Sequence, residues 1–211
     1  MVACGSSSSD ESLQTPSEEQ RILKVACVGD SITQGTGLSN PEQESYPVQL
    51  LGMLGEGWSV ENFGQKGATL LQNGTSPYWN TNAFDRSHTF GPDIVVIMLG
   101  TNDAKPENWV YKDHFLSDYT ELIESYRTLP SNPHIYVCLP PPVFAEVSGI
   151  TNTRITTELI PLIRQVADMN SVSLIDIYSV LEGRGELFPD YIHPNATGAR
   201  EIASTIYSRI Y

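Results

Sequence analysis

Ile94-Val95-Val96-Ile97-Met98-Leu99 is an unbroken apolar run that ends in Gly100-Thr101-Asn102-Asp103. A strand with one wetted face alternates apolar and polar residues, whereas a strand covered on both faces, as in a parallel sheet, does not. The run therefore predicts a central parallel strand. Working outward from it, residues 22–28, 58–63, 134–139 and 172–177 are rich in Val, Ile and aromatics, and most stop at Gly, Asn, Pro or Asp, giving five candidate strands. Between them, residues 46–54, 113–129, 153–169 and 196–210 show apolar positions three and four apart. Phe115, Tyr119, Leu122, Ile123 and Tyr126 make one helical face, and Ile155, Leu159, Leu162, Ile163 and Val166 another. Pro161 should bend or split the second of these. The alternation predicts a doubly wound α/β fold, a three-layer α/β/α sandwich formed by residues 21–211 as one domain. In such folds reactive groups collect beyond the carboxyl ends of the strands.

Composition narrows the function classes. With 211 residues and 40% hydrophobic content the chain can bury the core of one domain, and its formal charge of −13, without a basic run, makes nucleic acid and anionic membranes poor partners. The cysteines are Cys4, Cys27 and Cys138, with no C-x-x-C and no even framework for a stapled fold. Cys27 and Cys138 fall in strand runs and are expected to be inert buried thiols. No apolar stretch approaches the roughly 20 residues that span a bilayer. Residues 1–20 are too polar to fold on their own and read as a tether. The start, Met1-Val2-Ala3-Cys4 followed by a Ser-rich stretch, resembles the end of a bacterial lipoprotein signal, although the usual Leu before the small residues is absent. On that reading Met1 is a replacement start, Cys4 carries a lipid, and the protein is exported to the periplasm or anchored at the outer membrane. The alternative is an ordinary polar terminus with a cysteine that carries nothing.

Four segments converge on the carboxyl edge of the predicted sheet: Val28-Gly29-Asp30-Ser31, Asn62-Phe63-Gly64-Gln65-Lys66-Gly67, Gly100-Thr101-Asn102-Asp103 and Pro189-Asp190-Tyr191-Ile192-His193-Pro194. Acyl transfer needs a nucleophile beside a base, a group that orients the base, and donors aimed at the developing oxyanion. Ser31 follows a strand end where a tight turn can expose its hydroxyl. Asp190 and His193, three apart, can meet within one turn, so the carboxylate holds one imidazole nitrogen while the other faces Ser31. The other D-x-x-H, Asp85 to His88, has the same spacing but lies in a long polar stretch with no helix start behind it. The backbone N–H of Ser31, that of Gly64 and the side-chain amide of Asn102 are the expected oxyanion donors. Taken singly, Asp30 or Ser31 is equally a helix cap, Gly64 a turn glycine and Asn102 an Asx-turn; the convergence is what those readings leave unexplained. His114 and His134 open a helix and a strand. There is no H-x-H, no H-E-x-x-H and no cysteine cluster, so no metal is expected, and no cofactor motif is complete.

These residues resemble the four blocks of the SGNH (GDSL-type) hydrolases: Gly29-Asp30-Ser31 the first, Gly64 the second, Gly100-Thr101-Asn102-Asp103 the third, and Asp190-Tyr191-Ile192-His193 the last. The resemblance covers residues 22–211. It implies a flavodoxin-like five-stranded sheet, metal-independent ester hydrolysis and an acyl-serine intermediate. Within the family the chain looks most like bacterial carbohydrate esterases that remove O-acetyl groups. The loops expected to ring the site carry Tyr78, Trp79 and Trp109 beside amides, which suits a sugar face with hydroxyls at its edge, and these three with Asp30 are the candidate substrate contacts. The same rings serve equally to fasten loops to the domain. Rival readings are a lysophospholipase or acyl-thioesterase, and a non-catalytic glycan-binding module on the same fold.

Overall fold

The structure, a computed structural model, describes residues 1–2 and 21–211. The proposed tether and Cys4 lie outside the described residues, apart from Met1 and Val2. Five strands, β1 (Leu23–Gly29), β2 (Trp58–Gly64), β3 (Ile94–Met98), β4 (His134–Leu139) and β5 (Ser173–Asp176), form one sheet in the order β2-β1-β3-β4-β5. Every pairing is parallel. This is the flavodoxin-like order, whose switch point lies between β1 and β3. The registers Gly29↔Gly64 and Gly29↔Met98 bring the ends of β1, β2 and β3 level, so the loops that follow open onto one crevice.

The helices are α1 (Ser31–Gln34), α2 (Pro41–Glu44), α3 (Tyr46–Leu54), α4 (Asn82–Thr89), α5 (Pro106–Trp109), α6 (Phe115–Arg127), α7 (Asn152–Arg154), α8 (Ile160–Asn170), α9 (Ile177–Leu181) and α10 (Ala196–Ile210). Successive strand side chains point to opposite faces. Ala26, Val28, Val95, Ile97 and Val137 therefore pack under α6 and α8, against Phe115, Leu122, Ile123, Ile163 and Val166. Val25, Cys27, Val96, Met98 and Cys138 face the other way, onto Tyr46 and Leu50 of α3 and Ile202, Ala203 and Ile206 of α10. Both faces of β1 and β3 are thus dry, which is why their sequences lack alternation. Cys27 and Cys138 are buried and unpaired, and burial pushes both thiols far up. Residues 152–170 run as one helical stretch in which Ile155–Leu159 is a π-helix, and Pro161 follows directly on that altered turn, where the regular hydrogen-bond ladder that its missing N–H would break is already interrupted.

Sequence reading misses α4. Its mean hydropathy is low and it carries Asn82, Asp85, Arg86, Ser87, His88 and Thr89, so no broad apolar stripe marks it. Asp85 and His88 accordingly lie on a helix, not in an irregular polar stretch. His88 stacks on Tyr126 with ring centroids 4.2 Å apart and shares hydrogen bonds with Phe84 O and Ser125 Oγ, a partly buried packing contact between α4 and α6.

Candidate active site

The site begins where β1 must turn sharply. At Gly29 any Cβ would overlap the Thr33 side chain and sit 2.8 Å from Met98 O, so only glycine lets α1 fold back beside the strand. Asp30 caps that one-turn helix, its Oδ1 accepting the Ile32 N–H at 2.9 Å, and Gly35 (φ +91°) ends it. Ser31 is thereby the first helical residue, with its N–H pointing out of the helix start rather than into a helical bond.

The loop after α9 supplies the partners. Asp190 Oδ1 accepts the backbone N–H of Ile192 at 3.2 Å and of His193 at 2.7 Å, while Oδ2 accepts the His193 Nδ1–H at 2.6 Å. Tyr191 takes a left-handed φ of +70°, which curls the loop so that the i and i+3 side chains meet. Pro194 follows, and Asn195 caps α10 through the Gly198 N–H at 3.0 Å, anchoring the loop's far end. With Nδ1 donating to the carboxylate, Nε2 is left to accept, and the Ser31 hydroxyl lies 2.9 Å from it. Ser31, His193 and Asp190 are thus brought together from opposite ends of the chain. Burial works to push the Asp190 carboxyl up, but the imidazole and two backbone N–H bonds outweigh it and hold the group below its usual range.

Ser31 and His193 open on a cavity of about 210 Å³ lined by Lys66, Gly67, Thr101, Asn102 and Lys105 and by the apolar Val147, Ile150 and Ile192. The 147–150 segment is a tight turn, with Val147 and Ile150 exchanging backbone bonds at 3.1 and 2.9 Å. Arg154 ties it to the loop after β3 by donating to Gly149 O and Ala104 O. Asn102 Nδ2 donates to Ala68 O at 3.1 Å and makes a longer contact of 3.4 Å to Asp30 Oδ2. Asn108 Nδ2 in turn holds Asn102 O at 2.8 Å, and Asp103 accepts the N–H groups of Leu70 and Leu71. The loops after β2 and β3 are therefore one fixed unit.

Several expected roles move. The Gly64 N–H is already taken by Asn62 Oδ1 at 2.9 Å, and a Cβ there would overlap the backbone of Thr33 and Gln34. Gly64 makes room for α1 and is not an oxyanion donor. Gly67, three residues on, lines the cavity at φ +78°, and its N–H has no partner among the described residues. Asp30 is 1% exposed and spent on Ile32 and Asn102, so it cannot touch substrate. Burial first of all, then the nearby Asp103 charge, pushes its carboxyl up to about 7 against the Ile32 N–H bond and the Lys105 charge. Tyr78 is fully buried with its hydroxyl on Phe63 O. Trp79 donates to Leu70 O and packs on Phe84. Trp109 donates to Glu158 at 2.8 Å and borders a separate surface groove with Lys112, Leu116 and Leu162. The three rings fasten loops; none lines the Ser31 cavity.

The chain is similar to several known proteins. Residues 27–201 match the model of the GDSL-like Lipase/Acylhydrolase family. An acetylxylan esterase from Xylanibacter ruminicola is 37% identical over 92% of this chain and 44% of its own length. A multidomain esterase from Ruminococcus flavefaciens is 26% identical over 83% of this chain and 27% of its own. The chain thus spans less than half the length of these curated relatives. Among solved structures, a carbohydrate acetylesterase from Sinorhizobium meliloti superposes with a TM-score of 0.74 at 21% identity, covering 89% of this chain and 98% of that one, which shows a shared fold.

Proposed function

Because the chain belongs to the GDSL-like lipase/acylhydrolase family, we propose that it is a serine esterase that removes a short acyl group, acetate above all, from a carbohydrate hydroxyl. The observation that carries this is the relay from Asp190 Oδ2 through His193 to the Ser31 hydroxyl, at 2.6 and 2.9 Å, opening on a small cavity. As Ser31 Oγ attacks the ester carbonyl, its proton passes to His193 Nε2, and Asp190 stabilises the imidazolium. The carbonyl oxygen, now negative, is met by the N–H groups of Ser31 and Gly67 and by Asn102 Nδ2, whose long contact to Asp30 is the one it displaces. Collapse breaks the bond to the alcohol oxygen, which takes the proton from His193 and leaves as the free hydroxyl. Water then repeats the sequence on the acyl-serine, releasing the acid and restoring Ser31. Every proton travels through side chains of this chain, so no metal enters the scheme.

The short acyl group is supported by the small space at Ser31: about 210 Å³ for the whole opening, with Val147, Ile150 and Ile192 as its apolar wall, is below the roughly 300–1,000 Å³ of sites for drug-sized ligands. This disfavours a lysophospholipase or long-chain acyl-thioesterase. The intact relay disfavours a glycan-binding module without catalysis. The carbohydrate rests on the relatives that are acetylxylan and carbohydrate esterases.

We propose further that the enzyme works in the cell envelope with a lipid on Cys4, supported by the small residues before that cysteine and the Ser-rich stretch after it. Labelled palmitate incorporated into the native protein in its host, and lost in Cys4→Ser, is the expected result; equal labelling of both would refute the anchor.

Acetate release across a panel of acetylated oligosaccharides, with Ser31→Ala as control, tests the main reading. Release from at least one glycan by the native enzyme and none by the variant is expected. Equal release by both would remove Ser31 from the chemistry.

A further inference from the structure

The chain has only four lysines among its 211 residues, against 25 acidic side chains. Two of the four, Lys66 and Lys105, line the Ser31 cavity. The other two are engaged elsewhere: Lys24 Nζ donates to Phe90 O at 3.1 Å and lies over the Phe90 ring, and Lys112 Nζ pairs with Glu158 at 3.0 Å. Neither cavity lysine forms an ion pair or a side-chain hydrogen bond with any described residue. In a strongly acidic protein, two lysines at one small opening, neither within ion-pair distance of a described carboxylate although the Lys105 charge reaches the buried Asp30, concentrate positive charge at the mouth. Lys66 is exposed, and Lys105 is half-buried, where its charge is less screened by water.

Each lysine is fixed by its neighbour's role. Lys66 directly precedes Gly67, and its backbone N–H is held by Gln34 Oε1 at 3.1 Å. Lys105 lies three residues after Asn102, to whose carbonyl its N–H donates at 3.2 Å, and its own carbonyl accepts the N–H groups of Asn108 and Trp109. The backbones are pinned by these bonds, while neither ammonium group has a hydrogen-bond or ion-pair partner among the described residues. An acetyl group offers them no charge, and its methyl is suited to the apolar part of the lining, Val147, Ile150 and Ile192.

We propose that Lys66 and Lys105 form an anion-recognising mouth to the cavity, selecting acetyl esters whose sugar portion carries a carboxylate, as a uronic acid does. This rests on the esterase reading and names its substrate class. The carboxylate binds outside the acyl space, so its effect falls on substrate capture more than on the chemical step.

The test compares kcat/KM for the methyl glycoside of an acetylated uronic acid with that for the matching neutral acetylated sugar, and with a neutral sugar bearing a succinyl half-ester. Using the ratio on one preparation cancels any loss of folded enzyme. The native ratio of uronate to neutral ester should be about tenfold, carried by KM, and shrink with added salt. Lys105→Gln and Lys66→Gln should each lower it, and the double variant should bring it near one. A native ratio near one, or a high ratio untouched by both substitutions, would overturn the proposal. So would a preference for the succinyl ester over the uronate, because it would put the anion on the acyl side. Turnover of p-nitrophenyl acetate is measured alongside: if it is absent, the esterase reading itself fails, and if it is present with a ratio near one, the anion preference alone fails.

Discussion

Asp190 grips His193 twice: one carboxylate oxygen accepts the ring Nδ1–H at 2.6 Å and the other accepts the same residue's backbone N–H at 2.7 Å. The backbone bond sets where the imidazole starts, and the ring bond sets which tautomer it holds. Asp190→Asn keeps an acceptor for the backbone N–H but turns a donor toward Nδ1, which favours the tautomer that cannot receive the Ser31 proton. The expected result is a fall in kcat of about 10²- to 10⁴-fold with a thermal midpoint close to native. A loss under tenfold would show that the carboxylate does not control the ring.

Asn102→Ala removes one of the three groups assigned to the oxyanion. Steady-state kinetics should show kcat reduced by about 10²- to 10³-fold with KM little changed, since the interaction strengthens only as charge develops. A change confined to KM would make Asn102 a ground-state contact.

The pair Gly64 and Gly67 separates packing from chemistry. Gly64→Ala drives a methyl into the Gln34 and Thr33 backbone, so it should unfold at markedly lower temperature and lose activity through displacement of α1. Gly67→Ala meets nothing within 4 Å, and only its φ of +78° is penalised, by about 1–2 kcal/mol. Thermal melts that rank the two in the reverse order would contradict this assignment.

How far the site could be read from sequence follows from where its information is stored. Ser31, His193 and Asp190 were accessible because a strand end and a three-residue spacing fix them locally. Five parallel strands were accessible because buried runs such as residues 94–99 leave little else to be. The choice between Gly64 and Gly67 was not, because it depends on which carbonyl or side chain reaches each N–H, here Asn62 reaching Gly64. Tyr78, Trp79 and Trp109 misled because aromatic rings in loops look alike whether they stack on a ligand or bond to Phe63, Leu70 and Glu158. Lys66, Lys105, Val147 and Ile150 come from three loops whose juxtaposition only the fold provides.

Asp30 makes stability depend on pH in an unusual direction. Burial raises its carboxyl from an ordinary 3.8 to about 7, so between those values the folded chain holds a proton that the unfolded chain has released. Stability from this group is therefore present at low pH and lost as pH rises from about 4 to about 7. Asp30→Asn still accepts the Ile32 N–H and does not titrate, so its melting temperature should decline less than native across that window. Parallel curves would show that Asp30 is ionised throughout.

The nucleophile itself is open to the most direct measurement. After treatment with a fluorophosphonate ester, which reacts preferentially with an activated serine hydroxyl, peptide mass spectrometry locates the adduct while residual esterase activity is followed in the same samples. A single adduct on the peptide containing Ser31, growing in step with the loss of activity and absent from His193→Ala, is the predicted result. Full activity after Ser31 is completely modified, or inactivation with the adduct on a different residue, would contradict the account.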